Sequence, residues 1–239
     1  MILPFFSEAN MKKIGIIIAD ADEFAPFEKL ISKDVTAAET FLKRKKLIFN
    51  VGGAQVIALH CGIGKVNAAA AAAHLADCGC AAIVNFGLSG GISGVCRGET
   101  VLCTEFLEHD FDLSGIGYKP FEKPGQEYVY RADEKLCGIV RKLVPGIKEG
   151  TAVTGDCFVN DAAKRKFLKD EFSAMCCDME TAAVAYVCRF SDIPFVCVRK
   201  ISDDAGNDAI DSHREMNTLG ETDLARLCLE ITSAVAEND

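Results

Sequence analysis

Residues 13–19 (Lys-Ile-Gly-Ile-Ile-Ile-Ala) read as the first buried strand of the chain, with Ile14, Ile16, Ile17 and Ile18 filling both of its faces. A strand apolar on both faces belongs in a parallel sheet covered by helices on either side. Residues 82–86 and 195–198 (Phe-Val-Cys-Val) carry the same pattern. Alternation over residues 45–59, broken by Gly52-Gly53, predicts a β-hairpin, and residues 99–105 and 151–153 predict two further strands. Helical spacing predicts helices over 25–31, over the Ala-rich 67–76, over 161–172 with Asn160 as cap, and over 181–190. A last helix, 222–236, carries Leu224, Leu227, Cys228, Ile231 and Val235 on one face. Residues 109–130 show no period and predict a long irregular loop, a kind of segment that is usually functional. Strands alternating with helices make this an α/β protein around a central twisted sheet, mixed because of the hairpin. With no linker or break in composition, residues 1–239 read as a single domain, with residues 1–12 as an N-terminal extension.

Polar residues gather where the strands end, and in open α/β sheets ligands bind outside the carboxyl ends of the strands. Asp20, Asp22 and Glu23 follow the first strand, and Arg199 and Asp203 follow the run 195–198. That last pair reads equally well as a surface ion pair capping a strand. Glu180 opens the apolar helix 181–190, an odd place for a spare charge. The run Gly62-Ile63-Gly64-Lys65 lacks the upstream glycine of a phosphate loop, and Val66 stands where a Ser or Thr would hold magnesium. Its glycines are expected to turn the chain tightly into the following helix. Residues 87–91 (Gly-Leu-Ser-Gly-Gly) are expected to form a loop offering backbone N–H groups to an anion or a sugar hydroxyl, or a plain tight turn.

Composition narrows the function classes. A net charge of −9 and a pI near 5.0 disfavour nucleic acid or an anionic membrane as partner, since both reward clustered Lys and Arg. The 12 cysteines lie scattered through apolar runs without a C-x-x-C pair and read as reduced core thiols. The four histidines have no metal-ligand spacing, so no metal is expected. No apolar stretch reaches membrane-spanning length, and a cytoplasmic protein is expected.

Read in order, the pieces G-I-I-I-A-D-A-D-E, C-G-I-G-K-V-N-A, N-F-G-L-S-G-G, E-H-D-F-D-L-S-G-I-G-Y, T-G-D-C-F-V, D-M-E-T-A-A-V-A and V-R-K-I-S-D resemble the 5′-methylthioadenosine/S-adenosylhomocysteine nucleosidases of the nucleoside phosphorylase superfamily. The resemblance runs from about Lys13 onward. It implies a three-layer α/β/α sandwich, a homodimer, and hydrolysis of the adenine glycosidic bond of a small nucleoside with no metal or cofactor. By resemblance Asp203 is the general acid toward the purine, and Glu23 the base that takes a proton from water, ionised and beside Arg199, which helps hold that water. Asp203 is expected to carry a raised pKa in its desolvated setting. Glu180 would accept hydrogen bonds from the ribose hydroxyls, with Met179 packed under the ring. Phe158 would stack on adenine while the backbone of Val159 reads its edge; Ile63 and Ser89 complete the substrate-binding set. Leu113, Ile116, Tyr118 and Pro124 would surround the 5′-alkylthio tail from the neighbouring subunit.

Three positions depart from the family pattern. Leu88 stands where a serine is common beside the ribose, Asp20 where the first loop is apolar, and Ile116 where the tail pocket has an aromatic ring. Around His213 no phenylalanine aligns to close over the substrate. Rival readings are a purine nucleoside phosphorylase, a futalosine-type nucleoside hydrolase, and an inactive nucleoside-binding protein. A phosphorylase needs cations for phosphate, and an acidic first loop repels that anion.

Overall fold

The computed structural model describes residues 11–119, 121–206, 209, 212, 215 and 221–238. Residues 1–10, most of the expected extension, and the segment at His213 lie outside that set. Among the described residues there are ten strands: β1 (Lys13–Ile18), β2 (Val35–Phe41), β3 (Arg44–Val51), β4 (Ala54–His60), β5 (Ala82–Gly91), β6 (Thr100–Glu108), β7 (Tyr130–Arg131), β8 (Lys148–Thr154), β9 (Ala174–Asp178) and β10 (Phe195–Asp203). The α-helices with described bounds are α1 (Ala21–Ile31), α2 (Lys65–Asp77), α3 (Glu134–Leu143), α4 (Ala162–Phe172), α5 (Thr181–Phe190) and α6 (Glu221–Glu237).

All ten strands join one mixed sheet in the order β10-β6-β8-β9-β5-β1-β4-β3-β2, with β7 on β6. Because β5 also pairs with β10, the strands β5, β10, β6, β8 and β9 close on themselves while β1 to β4 extend as an open wing. On β1, Ile14, Ile16 and Ile18 pack on one side with α1, α3 and α6, and Ile17 packs on the other with α2 and α5. That division is why the strand reads as a continuous apolar run. Burying each such side chain contributes about 1.5–3 kcal/mol. The result is three layers, helices on both faces of a mixed sheet, as the resemblance implied. No helix among the described residues is long and apolar enough to cross a membrane. All 12 cysteines are free, and most are buried among core residues.

Several boundaries differ from the sequence reading, each for a local physical reason. Helix α1 begins at Ala21 rather than residue 25, because Asp20 caps it and accepts a hydrogen bond from the Asp22 N–H at 2.8 Å. Helix α4 is capped by Asp161, whose carboxylate takes the Ala163 N–H at 2.8 Å, and not by Asn160. Residues 87–91, expected as a loop, continue β5, since they pair with β10 on one edge and β9 on the other. Likewise β10 runs on through Asp203, so Arg199 lies inside a strand rather than beyond it. Strand β2 was not evident in the sequence; it is a largely exposed edge strand whose apolar residues do not alternate cleanly.

Candidate active site

The ends of β1, β4, β5 and β10 converge with the chain leaving β8 and β9 on a half-open cleft of about 630 Å³, open solvent included. Its lining includes Asp20, Glu23, Ile63, Leu88, Ser89, Phe158, Val159, Asp178, Met179, Glu180 and Asp203. Eight sequence-predicted site residues thus share one cavity: Glu23, Ile63, Ser89, Phe158, Val159, Met179, Glu180 and Asp203. Arg199 lies beneath its floor, and Leu113, Ile116, Tyr118 and Pro124 do not line it.

Glu23 sits in the first turn of α1, where the helix N-terminus favours an anion. Its side chain is nevertheless buried, with Oε1 accepting the Leu88 N–H at 2.7 Å. Gly87 makes room for this: a Cβ there would fall 2.9 Å from Glu23 Oε2 and 2.3 Å from Arg199 Nη1. Burial dominates and pushes the Glu23 carboxyl up to about 8, against the lowering pull of the Leu88 N–H and of Arg199. Glu180 and Asp20 add to the rise by like-charge repulsion. The resemblance implies an ionised glutamate; burial works against that by raising its pKa.

The reason lies partly in where Arg199 spends its charge. Its guanidinium donates to Asp178 Oδ2 through Nε at 3.1 Å and to Asn85 Oδ1 through Nη2 at 2.9 Å, and also bonds Thr181 Oγ1. Asp178 was not picked out by the sequence reading, yet it organises this end of the cleft. Its carboxylate accepts from Thr154 Oγ1 at 2.6 Å, from the Glu180 and Thr181 N–H groups at 3.2 Å each, and from Thr181 Oγ1. Asp178 is the last residue of β9, and a carboxylate at the carboxyl end of a strand was the available signal. Arg199 thus ties Asp178, Asn85 and Thr181 together beneath the cleft.

Glu180 stands at the N-cap of α5, and its Oε1 accepts the Gly64 N–H at 2.8 Å. Gly64 adopts φ of 100°, a left-handed conformation that favours glycine. The second glycine of the G-I-G-K run therefore serves a carboxylate of this chain, in keeping with rejection of the phosphate-loop reading. Burial, and then repulsion from Asp178, push the Glu180 carboxyl up to about 7.

At the other end, Asp203 is 2% exposed; Oδ2 accepts from Ser202 Oγ at 2.6 Å and Oδ1 from the Ala205 N–H at 2.8 Å. Phe158 is half-exposed and Val159 buried along the facing wall. Ser89 Oγ is buried in the lining without a hydrogen-bond partner, so its hydroxyl is available to a bound molecule. Leu88, the departure beside it, buries its side chain at the cleft wall. Acids at both ends of a narrow cleft, one pair reluctant to ionise, can exchange protons with a bound polar molecule.

Residues 13–233 match the model of the Phosphorylase superfamily. The chain is 36% identical over 193 residues to the 5′-methylthioadenosine/S-adenosylhomocysteine nucleosidase of Geobacillus sp. (strain WCH70), covering 77% of this chain and 83% of that protein. It is 34% identical over 205 residues to the nucleosidase of the same name from Shewanella pealeana, covering 82% of this chain and 88% of that one. Among solved structures, the Helicobacter pylori nucleosidase with butyl-thio-DADMe-Immucillin-A superposes with a TM-score of 0.89 at 25% identity, over 95% of this chain and 99% of that one.

Proposed function

The chain belongs to the Phosphorylase superfamily and, within it, to the 5′-methylthioadenosine/S-adenosylhomocysteine nucleosidases, and on that premise we propose that it hydrolyses the adenine N-glycosidic bond of both nucleosides. One observation carries hydrolysis over phosphorolysis. Among the described residues, the cleft is lined by Asp20, Glu23, Asp178, Glu180 and Asp203 and by no lysine or arginine. Phosphate would find no lysine or arginine in the lining to neutralise it and would meet repulsion from those acids that are ionised, whereas neutral water would not.

The bond breaks through an oxocarbenium-like state, which a base and an acid on either side can assist. Asp203 gives a proton to the purine's imidazole-ring nitrogen as the base departs. Glu23, in its ionised form, takes a proton from water as the water oxygen bonds to the anomeric carbon. Glu180 accepts hydrogen bonds from the ribose hydroxyls and faces the developing cation. Met179 packs under the sugar, Phe158 stacks on adenine, the Val159 backbone reads its edge, and Ile63 and Ser89 complete the contact. Arg199 acts from below, through Asp178.

A homodimer is supported by the apolar side chains on residues 113–124, of which Ile116 is 73% and Tyr118 40% exposed. There Leu113, Ile116, Tyr118 and Pro124 would reach the alkylthio tail in the partner's cleft. Free cysteines throughout support a cytoplasmic enzyme, and its substrates fit a role in methionine salvage. The sheet joining all ten strands supports one domain.

The test is incubation with methylthioadenosine in phosphate-free buffer made with isotope-labelled water. Adenine and labelled methylthioribose are the expected products. A strict requirement for phosphate would make the enzyme a phosphorylase, and much faster cleavage of a futalosine-type nucleoside would reassign the substrate.

A further inference from the structure

Three residues from separate parts of the chain close a ring beside the cleft. Lys65, at the start of α2, donates through Nζ to Asp110 Oδ1 at 2.6 Å. Asp110 Oδ2 accepts the Asp156 N–H at 2.9 Å, and Asp156 Oδ1 accepts the Lys65 N–H at 2.8 Å. Each residue therefore holds the other two. Each also adjoins something that matters: Gly64, next to Lys65, grips Glu180, and Asp156 precedes Cys157, Phe158 and Val159 of the cleft wall. Asp110 opens the segment leading to the exposed Ile116 and Tyr118.

We infer that Lys65, Asp110 and Asp156 are positioning residues that set the gap between the adenine-stacking wall at Phe158 and the ribose carboxylate of Glu180. This rests on the roles proposed above for Phe158 and Glu180. Phe158 sits on a short non-helical, non-strand segment between β8 and α4, which has little regular structure of its own to fix it. The ring supplies that fixation from the opposite lip of the cleft. Gly64 fits between the two lips, since a Cβ there would lie 3.1 Å from Asp156 Oδ1. Charge strengthens the ring: Lys65 also lies 3.5 Å from Glu108, and both partners are only partly exposed. Although burial opposes it, the Lys65 and Asp156 donors hold the Asp110 carboxyl below its usual range. The ring joins the Lys of the G-I-G-K run to the first Asp of the H-D-F-D run.

A wall held at the right distance contributes to substrate binding more than to the chemical step. Lys65→Met and Asp110→Asn are each expected to raise KM for methylthioadenosine about tenfold and to weaken adenine binding, measured by calorimetry, to a similar degree, with kcat within about threefold. The double variant should be no worse than about either single one, because breaking the ring once removes it. Lys65→Arg, which can still reach Asp110, should recover most of the loss, separating positioning from general damage to folding. An unchanged KM in Lys65→Met, a loss in kcat alone, or additive losses in the double variant would overturn the inference. Phe158→Ala, run alongside, distinguishes the levels: if it binds adenine normally, the assignment of the base site fails; if it loses adenine while Lys65→Met does not, only the ring fails.

Discussion

Arg199 Nη2 lies 3.0 Å from Asp178 Oδ2, with both side chains 1% exposed. A buried pair of this kind need not add net stability, but breaking it leaves an uncompensated charge in the core. Asp178→Ala is expected to destabilise the fold by roughly 3–5 kcal/mol. Adding Arg199→Met should restore a substantial part of that loss. Thermal melts of the two single variants and the double variant check this; strictly additive losses would mean that the pair does not act as a unit.

Glu23 titrates far above an ordinary carboxylate, so its pH behaviour can be stated with a sign. As the base it works only when ionised, and its ionised fraction grows as pH rises toward about 8. The profile of kcat/KM, which reports the free enzyme, should climb through neutral pH with an apparent pKa near 8. Glu23→Gln should abolish that limb along with most of the activity. A flat profile between pH values of about 5 and 8 would sink the base assignment.

The same carboxyl links stability to pH in the opposite direction. A folded-state pKa raised from 4.5 to about 8 means that the native state holds a proton which the unfolded chain has released. The stabilisation is full below pH 4.5 and is lost as pH rises through about 8, on the order of a few kcal/mol for this buried group. Glu23→Gln, whose amide mimics the protonated acid, should melt above the wild type at alkaline pH and show a weaker pH dependence. Identical profiles for the two proteins would contradict the raised pKa.

Asp203 and Glu180 should separate kinetically. Asp203→Asn keeps the shape but cannot deliver a proton, so kcat should fall by roughly 10²- to 10⁴-fold with substrate binding largely kept. Glu180→Gln loses charge-assisted bonds to the ribose hydroxyls as well as an anion facing the developing cation, so KM and kcat should both suffer. Single-turnover rates and the affinity of an adenosine-like inhibitor give the comparison. Near-normal turnover in Asp203→Asn would place the acid elsewhere.

The surface at Ile116 offers a test of assembly. Ile116→Glu puts a charge on the apolar patch and should shift the protein toward monomer in light scattering, with a raised KM for substrates bearing an alkylthio tail. A wild-type protein that is monomeric and fully active would exclude the partner's contribution.

Local chemistry decided much of this molecule before any folding. The double-faced apolar runs of β1 and β10 could only be interior strands, and Gly52-Gly53 could only be a tight connection between β3 and β4. Acidic residues at strand ends already marked Glu23 and Asp203, Glu180 stood out as a charge opening an apolar helix, and the family resemblance joined the three into one site. Other features depended on partners distant in sequence. Residues 87–91 have the composition of a turn, and only the flanking β9 and β10 make them a strand. Strand β2 lies at an edge with both faces largely exposed and its apolar residues do not alternate cleanly, so periodicity was silent there. Asp178 and Arg199 look like two ordinary charges until the fold removes both from water and leaves each as the other's counter-ion. The raised pKa of Glu23 is the furthest from the sequence. It comes from the loss of solvent imposed by neighbours on several elements, and desolvation is a property of the packed structure, not of the residue.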